Sequence, residues 1–466
     1  MLIIPLNTGA SVPLYEQIYD FIKKEIRTGK LAVATKLPST RSLSLNLQIS
    51  RSTVELAYSQ LISEGYIESR PKSGYYVLSI GDLVELPQEK LRTNPVVIKM
   101  KAPVLYDFSP FSVDITEFPF ATWRRLSNQC MNDMNQDLFL LGESQGDSPL
   151  RAAIARYLHS SRGVLLEPDQ IVIGAGTDYL LQLLTQILSK PRFIAMENPS
   201  YKRAYQIFQG LGYEVTPITV NHDGIDVEEL SKSGADLCYV TPSHQYPLGV
   251  VMPIKKRMEL LQWACQEKDR YIIEDDHDSE FRYKGKPIPS LQGIDQNNRV
   301  IYLGTFSRAI APAIRMGYMV LPKELAKHYQ NKLSYYASTV SRIDQAIMCQ
   351  FINGGFFERH LNKMRTKYKS KHDTLIKALK IFGNGVMISG EHAGLHLVVE
   401  FKMKLTEEEF IQKARESGIL LYGLNRHFID KKQTQDPTIL LGFANVSEDK
   451  IEQGIQRLYE SLFDYR

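Results

Sequence analysis

Short apolar runs alternate with helical stretches through most of this chain, from about Tyr106 onward. The runs are IVIGAG, RFIAMENP, LCYVTP, RYIIEDD, VIYLGTF and MGYMVLP. This alternation is typical of an α/β domain in which helices cover a mostly parallel sheet. With 466 residues, 43% of them hydrophobic, the chain is long enough for two or three domains with sizeable cores.

The first eighty residues follow a different pattern. Apolar residues at helical spacing predict a helix over roughly 13–28, a shorter helix that opens at Ser39, and a third helix that ends at Gly65. Two β-prone runs, YIES and YYVL, then flank the basic turn RPKSG and predict a hairpin. Three helices followed by such a hairpin indicate a winged helix-turn-helix.

Basic and hydroxyl side chains lie where a winged helix-turn-helix meets DNA. The third helix must enter the major groove while neighbouring cations and hydroxyls hold the phosphates. The residues placed for this are Arg41, Ser50, Arg51, Ser52, Thr53 and Lys72. Residues 1–80 contain nine Lys or Arg and six Asp or Glu, which gives +3 of the net charge of +4. The alternative is a small helical domain whose basic residues are only solvated surface.

We predict a winged helix domain over 1–78, a linker over 79–105 and an α/β domain over 106–466. The linker mixes charges with three prolines and has no sustained period. No apolar run is long enough to span a bilayer, and the amino-terminal segment does not resemble a secretory signal. The four cysteines are scattered without Cys-x-x-Cys spacing. We therefore expect a cytoplasmic protein with no zinc module, disulfide framework or other metal site.

Unusual residues stand at the carboxyl ends of the predicted strands, where ligands bind in parallel sheets. They are Gly174-Ala175-Gly176-Thr177, Glu197-Asn198-Pro199, Thr241-Pro242, Asp275 and Ser307. The glycine-rich turn before an apolar helix can present amide hydrogens and a helix dipole to a phosphate. A purely structural turn explains the glycines equally well.

The segment LPSTRSLSLNLQISRSTVELAYSQLISEGYIESRPKSGYYV, from Leu37 to Val77, resembles the GntR family of regulators. The likeness lies in the Leu-Pro-Ser-x-Arg opening, the Ser-Arg-x-Thr helix start and the Gly-Tyr-Ile wing. It implies that Arg41 and Arg51 are the principal contacts to double-stranded operator DNA. The supporting contacts that it implies are Ser39, Ser52, Thr53, Lys72 and Gly74.

Five motifs in the larger domain resemble fold-type I aminotransferases. They are GESQGDSPLRAAIARYL, ENPSYKRAY, TPSHQYPLG, IIEDDHDSEFRYKG and GTFSRAIAPAIRMGYM. HQYPLG and EDDHDSEFRYKG point more narrowly to the aminotransferase-like domain of MocR/GabR-type regulators. The resemblance covers nearly all of 106–466 and implies a head-to-tail homodimer.

The same resemblance implies a site for pyridoxal 5′-phosphate. Asp275 resembles the carboxylate that pairs with the pyridine nitrogen, Tyr201 resembles the aromatic residue that stacks on the ring, and His244 matches a position beside the ring. The residues that resemble a phosphate site are Gly176, Thr177, Thr305, Ser307 and Arg315.

One departure from the family pattern concerns the covalent bond to the cofactor. The family sequence Gly-Thr-Phe-Ser-Lys ends in the lysine that forms the Schiff base, whereas this chain has Arg308 there. A guanidinium stays protonated, with a pKa above roughly 12, and does not attack an aldehyde. Three explanations stay open: a natural member that binds the cofactor noncovalently or not at all, an engineered Lys→Arg variant, or a different lysine that substitutes.

Two further departures concern the effector. His277, which with Arg308 completes the ten candidate cofactor-binding positions, lies where the family often has Tyr. Residues 439–442 lack the carboxylate-binding arginine of true aminotransferases and of GABA-sensing relatives. A GABA ligand is therefore disfavoured. Arg203 matches a carboxylate-reading position in those relatives, although a solvated surface arginine is an equal alternative.

The leading hypothesis is a DNA-binding transcription regulator whose aminotransferase-like domain senses pyridoxal phosphate, an amino-compound effector, or both. The second hypothesis is a pyridoxal phosphate-dependent aminotransferase with a DNA-binding appendage. Because the Schiff-base lysine normally transfers the α-proton, Arg308 disfavours efficient turnover. The third hypothesis is a cofactor-free binding module, against which the retention of Asp275, Tyr201 and Arg315 counts.

Overall fold

The computed structural model describes residues 2, 4–7, 9–79, 104–188, 193–283, 288–430 and 434–463. The chain divides into two compact units, Met1–Lys99 and Met100–Arg466. Of the predicted linker at 79–105, residues 79, 104 and 105 are described, and residues 80–103 lie outside the described residues.

In its described residues, the smaller unit contains three helices and a three-stranded sheet with the order β1-β3-β2. Its elements are α1 (Leu14–Arg27), β1 (Lys36–Leu37), α2 (Thr40–Leu47), α3 (Arg51–Ser63), β2 (Ile67–Arg70) and β3 (Gly74–Val77). Ser39 caps α2, since its hydroxyl accepts a hydrogen bond from the amide of Ser42 at 3.1 Å. The predicted helices and hairpin are present, whereas the two-residue strand β1 was not predicted.

The larger unit is built around an eight-stranded sheet with the order β5-β12-β11-β10-β9-β6-β7-β8. Its strands are β5 (Ile171–Gly174), β6 (Phe193–Asn198), β7 (Glu214–Asn221), β8 (Gly224–Ile225), β9 (Leu237–Val240), β10 (Tyr271–Asp275), β11 (Val300–Thr305) and β12 (Gly317–Val320). Strands β12 and β8 run opposite to the other six strands of this sheet, which are parallel to one another. The mostly parallel α/β sheet is therefore confirmed, and all six predicted strands belong to it.

Helices cover both faces of this sheet. Neighbouring residues of β5 belong to different hydrophobic cores: Ile171 and Ile173 to one, and Val172 to another. Because side chains alternate along a strand, the two cores lie on opposite faces. The helices of the larger unit are α4 (Phe120–Cys130), α5 (Ser148–Arg162), α6 (Thr177–Ile187), α7 (Lys202–Gly210), α8 (Val227–Lys232), α9 (Ile254–Cys265), α10 (Lys323–Lys332), α11 (Arg342–Asn353), α12 (Phe356–Leu379), α13 (Glu407–Glu416) and α14 (Glu448–Phe463).

A smaller antiparallel sheet with the order β13-β14-β17-β16 lies toward the carboxyl terminus, and β15 pairs with β4. These strands are β4 (Tyr106–Asp107), β13 (Val386–Ser389), β14 (His396–Phe401), β15 (Ile419–Leu420), β16 (Tyr422–Gly423) and β17 (Thr438–Gly442). Among the helices in the described ranges, none has the length and apolar character needed to span a bilayer.

Candidate functional site

A cavity of about 580 Å³ opens at the carboxyl ends of the large sheet's parallel strands. Nine of the ten predicted cofactor residues line it: Gly176, Thr177, Tyr201, Asp275, His277, Thr305, Ser307, Arg308 and Arg315. The predicted effector residue Arg203 also lines the cavity. The tenth predicted cofactor residue, His244, is fully buried outside the wall. The topology of the sheet thus brings together residues that are more than 130 positions apart in the chain.

One end of the cavity has the chemistry of an anion site. Gly176 has a φ of +89° and directly precedes α6. The first amides of α6 have no partner within the helix, and this end of the helix lines the cavity. A Cβ at Gly176 would lie 2.8 Å from Nη2 of Arg315, so a side chain there would displace the guanidinium. The hydroxyl of Ser307 is buried and has no hydrogen-bond partner among the described residues. A phosphate fits this end because it would supply the acceptor that Ser307 lacks.

Asp275 lies at the end of β10, deeper in the cavity. The hydroxyl of Tyr239 donates a hydrogen bond to its carboxylate. Burial raises the pKa of Asp275 to about 6, and the neighbouring carboxylate of Asp276 acts in the same direction. Asp276 itself is held by Arg162 in a buried ion pair at 2.8 Å. Asp275 is therefore largely anionic at pH 7 and can pair with a protonated ring nitrogen.

Arg308 is fixed in the cavity wall by Asp278. Its Nε and Nη2 donate to the two carboxylate oxygens of Asp278 at 2.8 and 2.7 Å, and its Nη1 donates to the carbonyl of Pro110 at 2.8 Å. Burial by itself raises the pKa of Asp278, but the charge of Arg308 outweighs burial and holds this pKa well below its ordinary value. The pair is therefore ionic, and the guanidinium is held in one orientation.

Two histidines near Arg308 are neutral at pH 7. Burial lowers the pKa of His277 to about 4 and that of His244 to about 3. Their rings stack with centroids 6.4 Å apart and an interplanar angle of 10°. His277 lines the cavity. His244 does not line the cavity, and the structure places its buried ring against that of His277.

The outer half of the cavity contains an arginine that the sequence motifs did not predict. Residues 439–442 belong to the buried strand β17 and do not line the cavity. Arg426, from the turn after β16, lines it instead, with its guanidinium 5.7 and 5.4 Å from the ring centroids of Phe111 and Tyr422. Arg203 pairs with Asp178 at 3.2 Å. The polar sequence Asn-Arg-His at 425–427, between two strands, was the sequence feature that could have indicated this arginine.

The residues predicted to contact DNA lie in three parts of the smaller unit. Ser39 and Arg41 are at the start of α2, and Arg51, Ser52 and Thr53 form the first turn of α3. Lys72 lies in the hairpin turn and Gly74 is the first residue of β3, with φ values of +60° and +108°. Arg51 is exposed and pairs with Glu55 at 2.7 Å. These residues have the chemistry for phosphate and base contacts.

Two family models match separate stretches of the chain. Residues 14–77 match the bacterial regulatory proteins of the gntR family, and residues 112–458 match the aminotransferases of class I and II. Kynurenine aminotransferase from Pyrococcus horikoshii superposes with a TM-score of 0.69 at 25% identity, over 78% of this chain and 91% of that enzyme.

Two curated relatives match both parts together. The chain is 41% identical to the uncharacterized HTH-type transcriptional regulator YhdI of Bacillus subtilis, over 97% of this chain and 96% of that protein. It is 33% identical to the probable rhizopine catabolism regulatory protein MocR of Rhizobium meliloti, over 97% and 94%. The chain therefore belongs to the family of HTH-type transcriptional regulators that includes MocR, in which a GntR domain is joined to an aminotransferase class I and II domain.

Proposed function

We propose that this regulator binds pyridoxal 5′-phosphate noncovalently in its cavity, and that an amino compound bound beside the cofactor alters the binding of operator DNA. The observation that carries the proposal is Arg308. A guanidinium fixed on Asp278 replaces the lysine of the family, while the remaining cavity keeps groups that suit each part of the cofactor.

In this proposal, different residues of the chain bind the phosphate, the ring nitrogen and the ring face of the cofactor. Arg315, Ser307 and the amides at the start of α6 hold the phosphate. Asp275 pairs with the ring nitrogen, and Tyr201 packs on the ring. The cofactor supplies an aldehyde that condenses with primary amines, which defines an amino compound as the effector class.

The effector's second group is proposed to be an anion held by arginine. Arg203 and Arg426 both line the outer half of the cavity. Arg203 is already paired with Asp178, whereas Arg426 contacts the aromatic rings of Phe111 and Tyr422. A guanidinium on aromatic faces keeps its donors free for a carboxylate. Arg426 is therefore the stronger candidate of the two.

Sensing, rather than transamination, follows from the protonation of Arg308. Transfer of a substrate's α-proton requires a group that accepts and returns a proton near neutral pH. The guanidinium of Arg308 remains a cation, and its pKa is raised because the attraction of Asp278 outweighs burial. The chain has the cavity of an aminotransferase without the proton-transferring amine at this position, so we propose a regulator without efficient turnover.

We further propose a cytoplasmic head-to-tail homodimer. Four apolar side chains on one segment are well exposed in the single chain, at 95%, 68%, 65% and 92% for Met134, Phe139, Leu140 and Leu141. A second copy of the chain would cover such a patch. A two-fold protein also suits operator DNA with paired half-sites.

Binding of pyridoxal phosphate is expected to weaken as the pH falls through about 6. The pKa of Asp275 is raised to about 6, so its anionic form is lost below that pH, together with the ion pair to the ring nitrogen. The Asp275→Asn variant should bind about 10–100-fold more weakly at pH 7, as expected for loss of a hydrogen bond to a charged group. Equilibrium dialysis with pyridoxal phosphate measures both effects.

The matched control is Glu228→Gln, which removes a carboxylate charge from the exposed surface of α8, outside the cavity wall. This variant should keep the pH dependence of the wild-type protein. Equal affinity of the Asp275→Asn variant and the wild type at pH 7 would contradict the assigned role of Asp275.

DNA binding is tested by selecting duplexes from a random pool with the full-length protein and using a recovered duplex as a fluorescent probe. Arg51→Ala should weaken binding of that probe by about 1–3 kcal/mol, which is the usual cost of losing an arginine contact to a base. Arg27→Ala, which removes an exposed arginine from the last turn of α1, serves as the control. A pool without enriched duplexes would refute the proposed function.

A further inference from the structure

The outer face of the three-stranded sheet in the smaller unit carries a cluster of polar side chains. Lys36 of β1 and Glu68 of β2 both lie directly opposite Tyr76 of β3. Arg70 lies two residues after Glu68 and so projects from the same face. The opposite face is apolar: Leu37, Ile67 and Val77 are buried in the core of the unit. Lys36, Arg70 and Tyr76 thus share the side of the sheet that meets solvent.

Two cations flank the ring of Tyr76. The guanidinium carbon of Arg70 lies 4.4 Å from the ring centroid, and Nζ of Lys36 lies 5.9 Å from it. The hydroxyl of Tyr76 shares a hydrogen bond of 2.8 Å with Ser73. This hydrogen bond and the charges of Lys36 and Arg70 lower the pKa of Tyr76. The surface around the hydroxyl is therefore positive and suits an anion.

On this face, the carboxylate of Glu68 faces Arg70 rather than Lys36. Glu68 pairs with Arg70 at 2.6 Å. In the part of the chain that the structure describes, no carboxylate forms an ion pair with Lys36. An ammonium has three donors, so Lys36 can contact both Tyr76 and a ligand in solvent, while Glu68 reduces the charge that Arg70 contributes.

Lys36 also lies between the two segments that are predicted to contact DNA. It precedes Ser39 by three residues and Arg41 by five. On its other side, a Cβ at Gly74 would lie 3.3 Å from Cε of Lys36, so the lysine side chain runs across the wing glycine. A phosphate between the start of α2 and the wing would meet Lys36.

We propose that Lys36, assisted by Arg70 and the hydroxyl of Tyr76, forms a binding site for a backbone phosphate of duplex DNA. The contact is independent of sequence, because it engages the phosphodiester and no base. The proposal rests on the DNA-binding function proposed above and adds a contact outside α2, α3 and the wing tip. Gly74 belongs to the site because its lack of a side chain makes room for Lys36.

The test separates a phosphate contact from a structural role of Lys36. A fluorescein-labelled duplex of mixed sequence is titrated with the full-length protein over a series of NaCl concentrations. Lys36→Met keeps an unbranched chain over Gly74 but removes the charge, so the slope of log affinity against log salt should fall in magnitude by about 0.9. Lys36→Arg should keep the slope.

The control is Lys24→Met, which removes an exposed lysine of α1 and should leave the slope unchanged. An unchanged slope for a folded Lys36→Met variant would overturn the proposal while leaving DNA binding itself intact. Failure of the wild-type protein to bind the duplex would instead overturn both proposals. If Lys36→Met does not fold, acetylation of Lys36 in the wild-type protein is measured with and without the duplex. The duplex should reduce acetylation of Lys36, and equal acetylation in both samples would overturn the proposed site.

Discussion

The Arg308→Lys variant is expected to acquire a covalent bond to pyridoxal phosphate that the wild-type protein lacks. The substitution places an amine where the family has its Schiff-base lysine, in a cavity whose other groups already suit the cofactor. After incubation with pyridoxal phosphate and borohydride, intact-mass measurement should detect one added pyridoxyl phosphate group per variant chain. The wild-type chain should show none.

The extent of this labelling should rise with pH. In the variant, Asp278 would face the new amine, and a nearby carboxylate favours the protonated, unreactive ammonium. Labelling of wild-type protein at Lys202, a lysine on the cavity wall, would mean that a different lysine substitutes for residue 308. If neither chain is labelled and neither perturbs the cofactor's absorbance, the cavity does not accept pyridoxal phosphate.

The Asp278→Ala variant should lose about 3–5 kcal/mol in the free energy of unfolding, because it leaves the charge of Arg308 buried without its partner. The side chains of the pair are only 13% and 0% exposed, for Arg308 and Asp278 respectively. Urea unfolding followed by tryptophan fluorescence measures the loss, because both tryptophans, Trp123 and Trp263, belong to the larger unit.

The Asp278→Leu/Arg308→Met double variant should recover most of this stability. Apolar residues in place of both charges remove the desolvation penalty along with the attraction. Glu228→Ala, which breaks an exposed pair with Lys232, is the control and should cost less than about 1 kcal/mol. A loss for Asp278→Ala as small as that for Glu228→Ala would mean that the buried pair does not stabilise the fold.

The sequence predicted elements that are set by local pattern and missed those that depend on distant pairing. The helical periodicity located α1, α2 and α3, and the apolar runs located six strands. Strand β1 has only two residues and pairs with β3, which lies forty positions away. Strand β7 contains Pro217, which is unusual inside a sheet. The proline is tolerated because β8 pairs with the end of β7 at Val220 and Asn221 and leaves that side of residue 217 free.

The sequence predicted the part of the candidate site that lies at the carboxyl ends of strands. Residues at the ends of β5, β10 and β11 reached the cavity because parallel strands present these ends at one edge. Asp278 and Arg426 were missed as members of the site because they come from turns whose course depends on tertiary packing. His244 does not line the cavity, because its position in a motif does not specify how deeply its ring is buried.

A fixed cation at position 308 has a consequence for how the protein would respond over time. A covalently attached cofactor remains with its chain, whereas one held by ion pairs, hydrogen bonds and stacking leaves and returns. The loaded fraction then follows the free concentration of the ligand relative to its dissociation constant. In the proposed function, the Arg308–Asp278 pair keeps cofactor binding reversible. A fall in the free cofactor concentration would then change transcription of the target genes without synthesis of new regulator.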